Sequence, residues 1–219
     1  MALVFTGDEY ADGSAFILNA LHAHHVKASF FLTGRFYRNP AFKKSIQQLK
    51  KQGHYLGAHS DAHLLYCDWS RRDSLLVTKE EFTTDLQKNY EAMRGFGVRK
   101  EHARFFLPPY EWYNDTIAAW TKQAGLQLIN FTPGTLSHAD YTTPDATNYR
   151  SSTTIRTSIE NYEAKQPSGL NGFILLLHIG TDSKRTDKFY YQLPALLQWL
   201  KSKDYQFVRI DDLLHNYEN

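Results

Sequence analysis

Little in this sequence points to a disulfide framework, a membrane or a polyanion. Cys67 is the single cysteine of 219 residues, so no intrachain disulfide can form. It has no cysteine or histidine pattern around it and reads as a buried structural thiol. No apolar run approaches the ~18 residues of a transmembrane helix. Residues 173–177 have only the length of a buried strand. Lys and Arg number 25 against 23 Asp and Glu, a formal charge of +2. That balance argues against a nucleic-acid surface or an anionic-membrane binder. There is no phosphate-cradling glycine loop, dinucleotide fingerprint or nucleophile-elbow serine. Linkers, low-complexity tracts and repeats are absent too. No signal peptide precedes the strand-like residues 3–5. The chain reads as one domain over residues 1–219, consistent with excision from a longer precursor.

What is present is a sizeable core and an unusual share of rings. Hydrophobic residues make up 42% and charged residues 22%, ordinary globular usage. Aromatic content is 15%, with 14 Tyr and four Trp, and there are ten histidines. Flat rings with a polar edge suit sugar faces, and they equally fill cores.

Short β-like runs alternate with helical periods. Strands are predicted near 3–5, 28–32, 55–59, 104–107, 126–131, 173–178 and 207–210. Helices fall between most of them. Asp12 or Ser14 is the expected cap of the first. Thr78-Lys79-Glu80-Glu81 reads as a capping box, and Asn114 as a further cap. Residues 134–153 read as a long polar loop, and 152–163 as a helix. About seven strands with intervening helices predict a parallel α/β fold, either a barrel or a doubly wound sheet. The chain is short for a full eight-unit barrel of ~250 residues, so a barrel here would be an incomplete or distorted one.

Polar groups recur at the C-terminal ends of these strands. Asp8-Glu9 follows the first, His59 and His63 the third, Tyr110 and Glu111 the Pro108-Pro109 stop, and His178 ends the most apolar run. In parallel α/β folds those ends share one mouth. His59-Ser60-Asp61-Ala62-His63 places two histidines four apart, as on one face of a helical turn, where neutral imidazoles can grip a divalent ion. Surface or capping histidines would show the same spacing. An acid pair such as Asp8-Glu9 can supply an oxygen ligand and leave a second carboxylate as base, though such pairs are commonly solvated. His178 fits either a satisfied structural histidine or a general acid. The Tyr110 N–H, just after two prolines, is rigidly placed for an oxyanion, or belongs to an ordinary turn. His22, His24 and His25 fall within a helical period and read as helix surface.

Taken in order, Thr6-Gly7-Asp8-Glu9, Lys27 through Gly34, His59-Ser60-Asp61-Ala62-His63, Leu107-Pro108-Pro109-Tyr110 and Leu176-Leu177-His178 resemble the polysaccharide deacetylases, the NodB-homology domains of carbohydrate esterase family four. The resemblance implies a distorted barrel that removes N- or O-acetyl groups from sugars. By position it implies Asp8 as catalytic base, and Glu9, His59 and His63 as ligands of a divalent metal, Zn before Co, Ni or Mn. It implies Tyr110 as the oxyanion donor and His178 as general acid. Asp140 falls where the family has an acid that tunes that histidine. Tyr66, Trp69, Glu111 and Trp112 are expected to shape the sugar site. The expected partner is an acetylated oligo- or polysaccharide. The expected location is secreted, periplasmic or envelope-associated.

Three residues depart from the family pattern. Glu9 replaces an Asp, and Gly7 replaces an aromatic residue. Leu107 replaces the arginine that orients the catalytic carboxylate, leaving Arg35, Arg104 or Arg185 as candidates for its work. These departures keep open a catalytically silent sugar-binding domain on the same scaffold. Hydrolysis of a non-sugar amide is the other alternative.

Overall fold

The computed structural model describes residues 1–215. In chain order the elements are β1 (Ala2–Gly7), α1 (Ser14–Ala23), β2 (Ser29–Leu32), α2 (Gly34–Arg38), α3 (Lys43–Lys51), β3 (Tyr55–Ala58), α4 (Lys79–Arg94), β4 (Phe105–Phe106), α5 (Asp115–Gln123), β5 (Gln127–Leu128), α6 (Ser152–Lys165), β6 (Ile174–His178), α7 (Leu193–Ser202) and α8 (Ile210–His215). Six strands form one sheet in the order β5-β4-β3-β2-β1-β6. Every pairing is parallel. The fold is the distorted, incomplete (β/α) barrel that the family resemblance implies.

Both faces of the sheet are buried, and strand alternation divides them. Leu3, Phe5, Phe30, Leu32, Leu175 and Leu177 join the larger core beneath the helices. Ala2, Val4, Phe31, Tyr55, Phe105, Leu107 and Leu176 form a second cluster on the inner face. Because the side-chain period is two, the inner face continues from Val4 through Thr6 to Asp8, from Tyr55 to His59, and from Leu176 to His178. Parity alone therefore carries three polar residues to the rim of an apolar interior.

Among the described residues six strands stand where seven were expected. The segment 207–210 forms no ladder: the Val208 N–H donates to the Met1 carbonyl at 3.1 Å. The Ile210 N–H donates to Ser29 Oγ at 2.8 Å as α8 begins. The predicted strand 126–131 is also shorter, with β5 ending at Leu128. Beyond it the chain crosses toward β6, where the Thr132 N–H donates to the Ile174 carbonyl at 3.0 Å. The Ile174 N–H donates in turn to Thr132 Oγ1 at 3.0 Å, so the segment meets the start of β6 without adding a strand.

Helix ends follow the sequence with one exception. Thr78 and Glu81 form the capping box of α4, and Asn114 Oδ1 accepts from the Ile117 N–H at the start of α5. The exception is α1, which begins after Gly13 without a side-chain cap. Asp12 instead accepts from the Thr181 N–H and the Tyr190 hydroxyl and pairs with Lys188 at 3.0 Å. Ser14 faces Ser45 at 2.9 Å. Tertiary partners have taken the oxygens that local capping would have used.

Candidate active site

Asp8, His59, His63, Tyr110, Glu111, Trp69, Trp112 and His178 all line one cleft of about 1060 Å³ at the C-terminal mouth. Residues 141–148 contribute its far wall. The opposite end of the barrel has a separate, arginine-bearing hollow that includes Arg104 and Arg209.

The His59–His63 segment is a loop rather than the helical turn expected from its spacing. Ser60 and His63 have φ of 70° and 55°, in the left-handed region. Side chains of α4 hold this shape. Asp85 accepts from the Ser60 hydroxyl at 2.6 Å and from the Asp61 and Ala62 N–H groups at 2.9 Å. Asn89 accepts from the His59 N–H at 2.9 Å and donates to the Leu32 carbonyl. Sequence reasoning missed both residues. The available signal was two polar side chains four apart, beside Leu86 and Met93 on the buried side of α4. The loop also sits so close to α2 that a Cβ on Gly34 would fall 1.8 Å from Asp61 Oδ1. Glycine is required there for approach, not for φ.

The loop brings the two imidazoles to 5.0 Å between ring centroids. His59 Nδ1 donates to the Leu107 carbonyl at 2.7 Å, which leaves Nε2 as a free lone pair. Burial pushes the His59 pKa down to about 3, helped by the neighbouring His63 charge. Burial likewise takes His63 down to about 4, against the pull of Asp8. Both rings are therefore neutral donors at physiological pH, the form a divalent ion binds. His63 Nδ1 lies 3.9 Å from Asp8 Oδ2.

Glu9 does not stand with this pair. Its side chain is exposed and turns toward Arg35 Nη1 at 3.8 Å. Among the described residues, no three His, Cys, Asp or Glu side chains gather as a metal site. The donor chemistry of the imidazole pair fits a divalent ion, whereas the expected acidic third ligand lines the same cleft with its side chain exposed, 3.8 Å from the Arg35 guanidinium.

Asp8 is gripped from β2 and α2. The Thr33 hydroxyl donates to Oδ1 at 2.9 Å, and the Arg35 guanidinium forks both oxygens through Nε and Nη2. Burial raises the Asp8 pKa, but Arg35, His63 and Thr33 together outweigh it and hold the carboxyl below the ordinary range. Of the three arginines considered from sequence, Arg35 alone reaches Asp8. Arg104 lies at the opposite end of the barrel. Arg185 is buried and donates to the Thr142 and Arg150 carbonyls at 2.6 and 3.0 Å, which pins the long polar loop.

His178 and Asp140 meet across 38 residues of sequence. Asp140 Oδ2 accepts from the His178 N–H at 3.0 Å, and Oδ1 lies 2.6 Å from Nδ1. Burial lowers the His178 pKa, but the charge and hydrogen bond of Asp140 more than offset it, so the net shift is upward. The ring's Nε2 is left to face the cleft.

Tyr110 and Glu111 have φ of 59° and 53°, a turn held by Glu111 and Trp112 N–H bonds to the Pro108 and Pro109 carbonyls. Among the described residues the Tyr110 N–H makes no hydrogen bond. The Tyr110 ring packs 4.4 Å from His63. Trp69, 56% exposed, lies 5.6 Å from both Trp112 and Tyr110. The Arg72 guanidinium covers the Trp112 ring at 4.3 Å. Burial pushes the Glu111 carboxyl up to about 7, while the charge of His178 opposes the rise. Tyr66, expected at the sugar site, is a correction. It is fully buried against Phe82 and Phe106, beneath the cleft and out of a ligand's reach.

The mouth thus joins a histidine pair, an arginine-held carboxylate and an aspartate-backed histidine on one inner face. Over residues 2–129 the sequence matches the polysaccharide deacetylase family. The chain belongs to that family. A peptidoglycan-N-acetylglucosamine deacetylase of Bacillus cereus is 28% identical over 199 residues, covering 90% of this chain and 80% of that protein. The crystal structure of a peptidoglycan N-acetylglucosamine deacetylase superposes with a TM-score of 0.74 at 19% identity, over 97% of this chain and 86% of that one. A pseudoenzyme of carbohydrate esterase family four from Bacillus anthracis gives 0.73 at 19% identity, over 97% and 64%. At these identities the two structures show a shared fold. The family match stops at residue 129, so Asp140 and His178 lie outside it.

Proposed function

We propose that this polysaccharide deacetylase-family chain hydrolyses acetyl groups from a carbohydrate, with the N-acetyl groups of a peptidoglycan-type glycan as the leading substrate. The observation that carries the reading is the convergence of Asp8, His59, His63 and His178 on one cleft. Names of the sequence relatives support the substrate class. An envelope-associated or secreted location follows from such a substrate.

In this reading Asp8 takes a proton from the attacking water, and its depressed pKa keeps it ionised at neutral pH. The water oxygen bonds to the acetyl carbon. The unpaired Tyr110 N–H faces the oxyanion that develops on the carbonyl oxygen. His178, whose protonated form Asp140 favours, gives its proton to the leaving nitrogen or oxygen as the bond to the acetyl carbon breaks. Acetate and the free amine or alcohol result. His59 and His63 would hold a divalent ion, Zn before Co, Ni or Mn, and Glu9 would join only by leaving Arg35. When bound, that ion supplies Lewis acidity to the acetyl carbonyl. Trp69 offers an exposed ring to the sugar, with Trp112 packed against it and against Arg72.

The apolar Leu107 and the displaced Glu9 favour one second reading, a silent glycan-binding domain. Acetate release separates the two. Metal-stripped protein is offered acetylated chito-, xylo- and peptidoglycan fragments, then Zn, Co, Ni or Mn. Release restored by an ion is the expected result. Glycan and ion binding without release would establish the silent domain. Release from a non-sugar amide alone would move the substrate class.

A further inference from the structure

We propose that Arg35 is the positioning residue for Asp8, and that the first turn of α2 does the orienting work that Leu107 cannot. The proposal rests on the reading of Asp8 as the base.

The first observation is the fork itself. Two guanidinium nitrogens on two carboxylate oxygens fix the plane of the carboxylate as well as its location, which a single point charge cannot do. The second is how the fork is anchored. Thr33 caps α2 by accepting from the Phe36 N–H at 3.1 Å, and its hydroxyl proton goes to Asp8 Oδ1. The Gly34 and Arg35 N–H groups donate to the Ser60 and Asp61 carbonyls at 3.0 and 3.2 Å. One helical turn therefore grips the base with its side chains and the histidine loop with its backbone. The spacing between Asp8 and His63 is set through that turn.

The third observation concerns the alternatives. Leu107 is fully buried among Val4, Phe31, Phe105 and Leu176, where a charge would be costly. Arg104 and Arg185 are committed to other parts of the molecule. The Arg35 side chain is 43% exposed, so its ion pair adds little to stability. Its consequence is orientation, and a substitution there separates turnover from folding.

The test compares wild type, Arg35→Met and Arg35→Met with added guanidinium ion by acetate release, and the two proteins by thermal unfolding and crystallography. Arg35→Met is expected to lower kcat by about 10- to 100-fold, the scale of a misplaced reacting group. KM and the unfolding midpoint stay at wild-type values. Free guanidinium ion restores part of kcat to Arg35→Met. In the Arg35→Met crystal structure the Asp8 carboxylate turns or loses order. A wild-type kcat in Arg35→Met overturns the proposal. If wild-type protein releases no acetate with any ion, the deacetylase reading falls, and the crystal structures judge this proposal alone: an Asp8 unmoved by Arg35→Met overturns it, and a displaced Asp8 upholds it.

Discussion

The two carboxylates that serve the mouth are held in opposite ways. Asp140 is buried, and both of its oxygens meet one residue, His178, through backbone and ring. Asp8 is partly open to solvent and shares its oxygens between a hydroxyl and an exposed arginine. Low dielectric makes the first pair strong and fixes the tautomer of the histidine. The second is held from the solvent side, by a guanidinium that forks Asp8 and lies 3.8 Å from Glu9. In the proposed reaction a buried acid side and an open base side suit their tasks. There the acid donates a proton from a fixed position, whereas the base must accept water and accommodate an ion.

The largest expected effect tests the open side. Asp8→Asn removes the proton acceptor and should lower kcat by about 10²–10⁴ while His59 and His63 still bind zinc. Acetate release and zinc titration on the same preparation measure both. Survival of turnover would take the base role away from Asp8.

Asp140→Asn tests the buried side. His178 must be protonated to act as acid, and Asp140 raises its pKa against the effect of burial. Removing that charge leaves burial to lower the pKa. The alkaline limb of the kcat/KM profile should therefore move to lower pH, with kcat reduced by about 10²-fold. Stability has the same sign: the contribution of protonated His178 is present at low pH and lost as pH rises through its raised pKa. An unmoved alkaline limb would show that the dyad is structural.

The smallest effect distinguishes lining residues from those beneath. Trp69→Ala should raise KM about 2- to 10-fold, as befits one aromatic contact. Tyr66→Phe should change neither kcat nor KM, because that ring packs under the cleft. A KM rise in Tyr66→Phe with none in Trp69→Ala would reverse the assignment.

Residues at strand ends were legible in the sequence, and residues that act on them from a distance were not. Asp8, His59 and His178 each follow an apolar run with the parity of its inner face, so period and position both announce them. Asp140 was found by family resemblance, and its partner is 38 residues away. Arg35 was one of three candidates, and local pattern held nothing to choose among them. Asp85 and Asn89 lie on a helix whose apolar neighbours read as core, so their grip on the histidine loop stayed hidden. Tyr66 was misplaced because ring type and nearness in sequence do not say which side of a sheet a loop residue enters.

The sequence by itself determined the parallel α/β class, the mouth where its polar groups meet and the family to which the chain belongs. Those properties reside in periodicity and in residue order, which are local. Only the tertiary structure decided that Arg35 holds Asp8, that Glu9 turns away from the histidines and that six strands, not seven, form the sheet. Each depends on which charged or backbone group finds a partner across tens of residues, and those partnerships exist only once the chain has closed on itself.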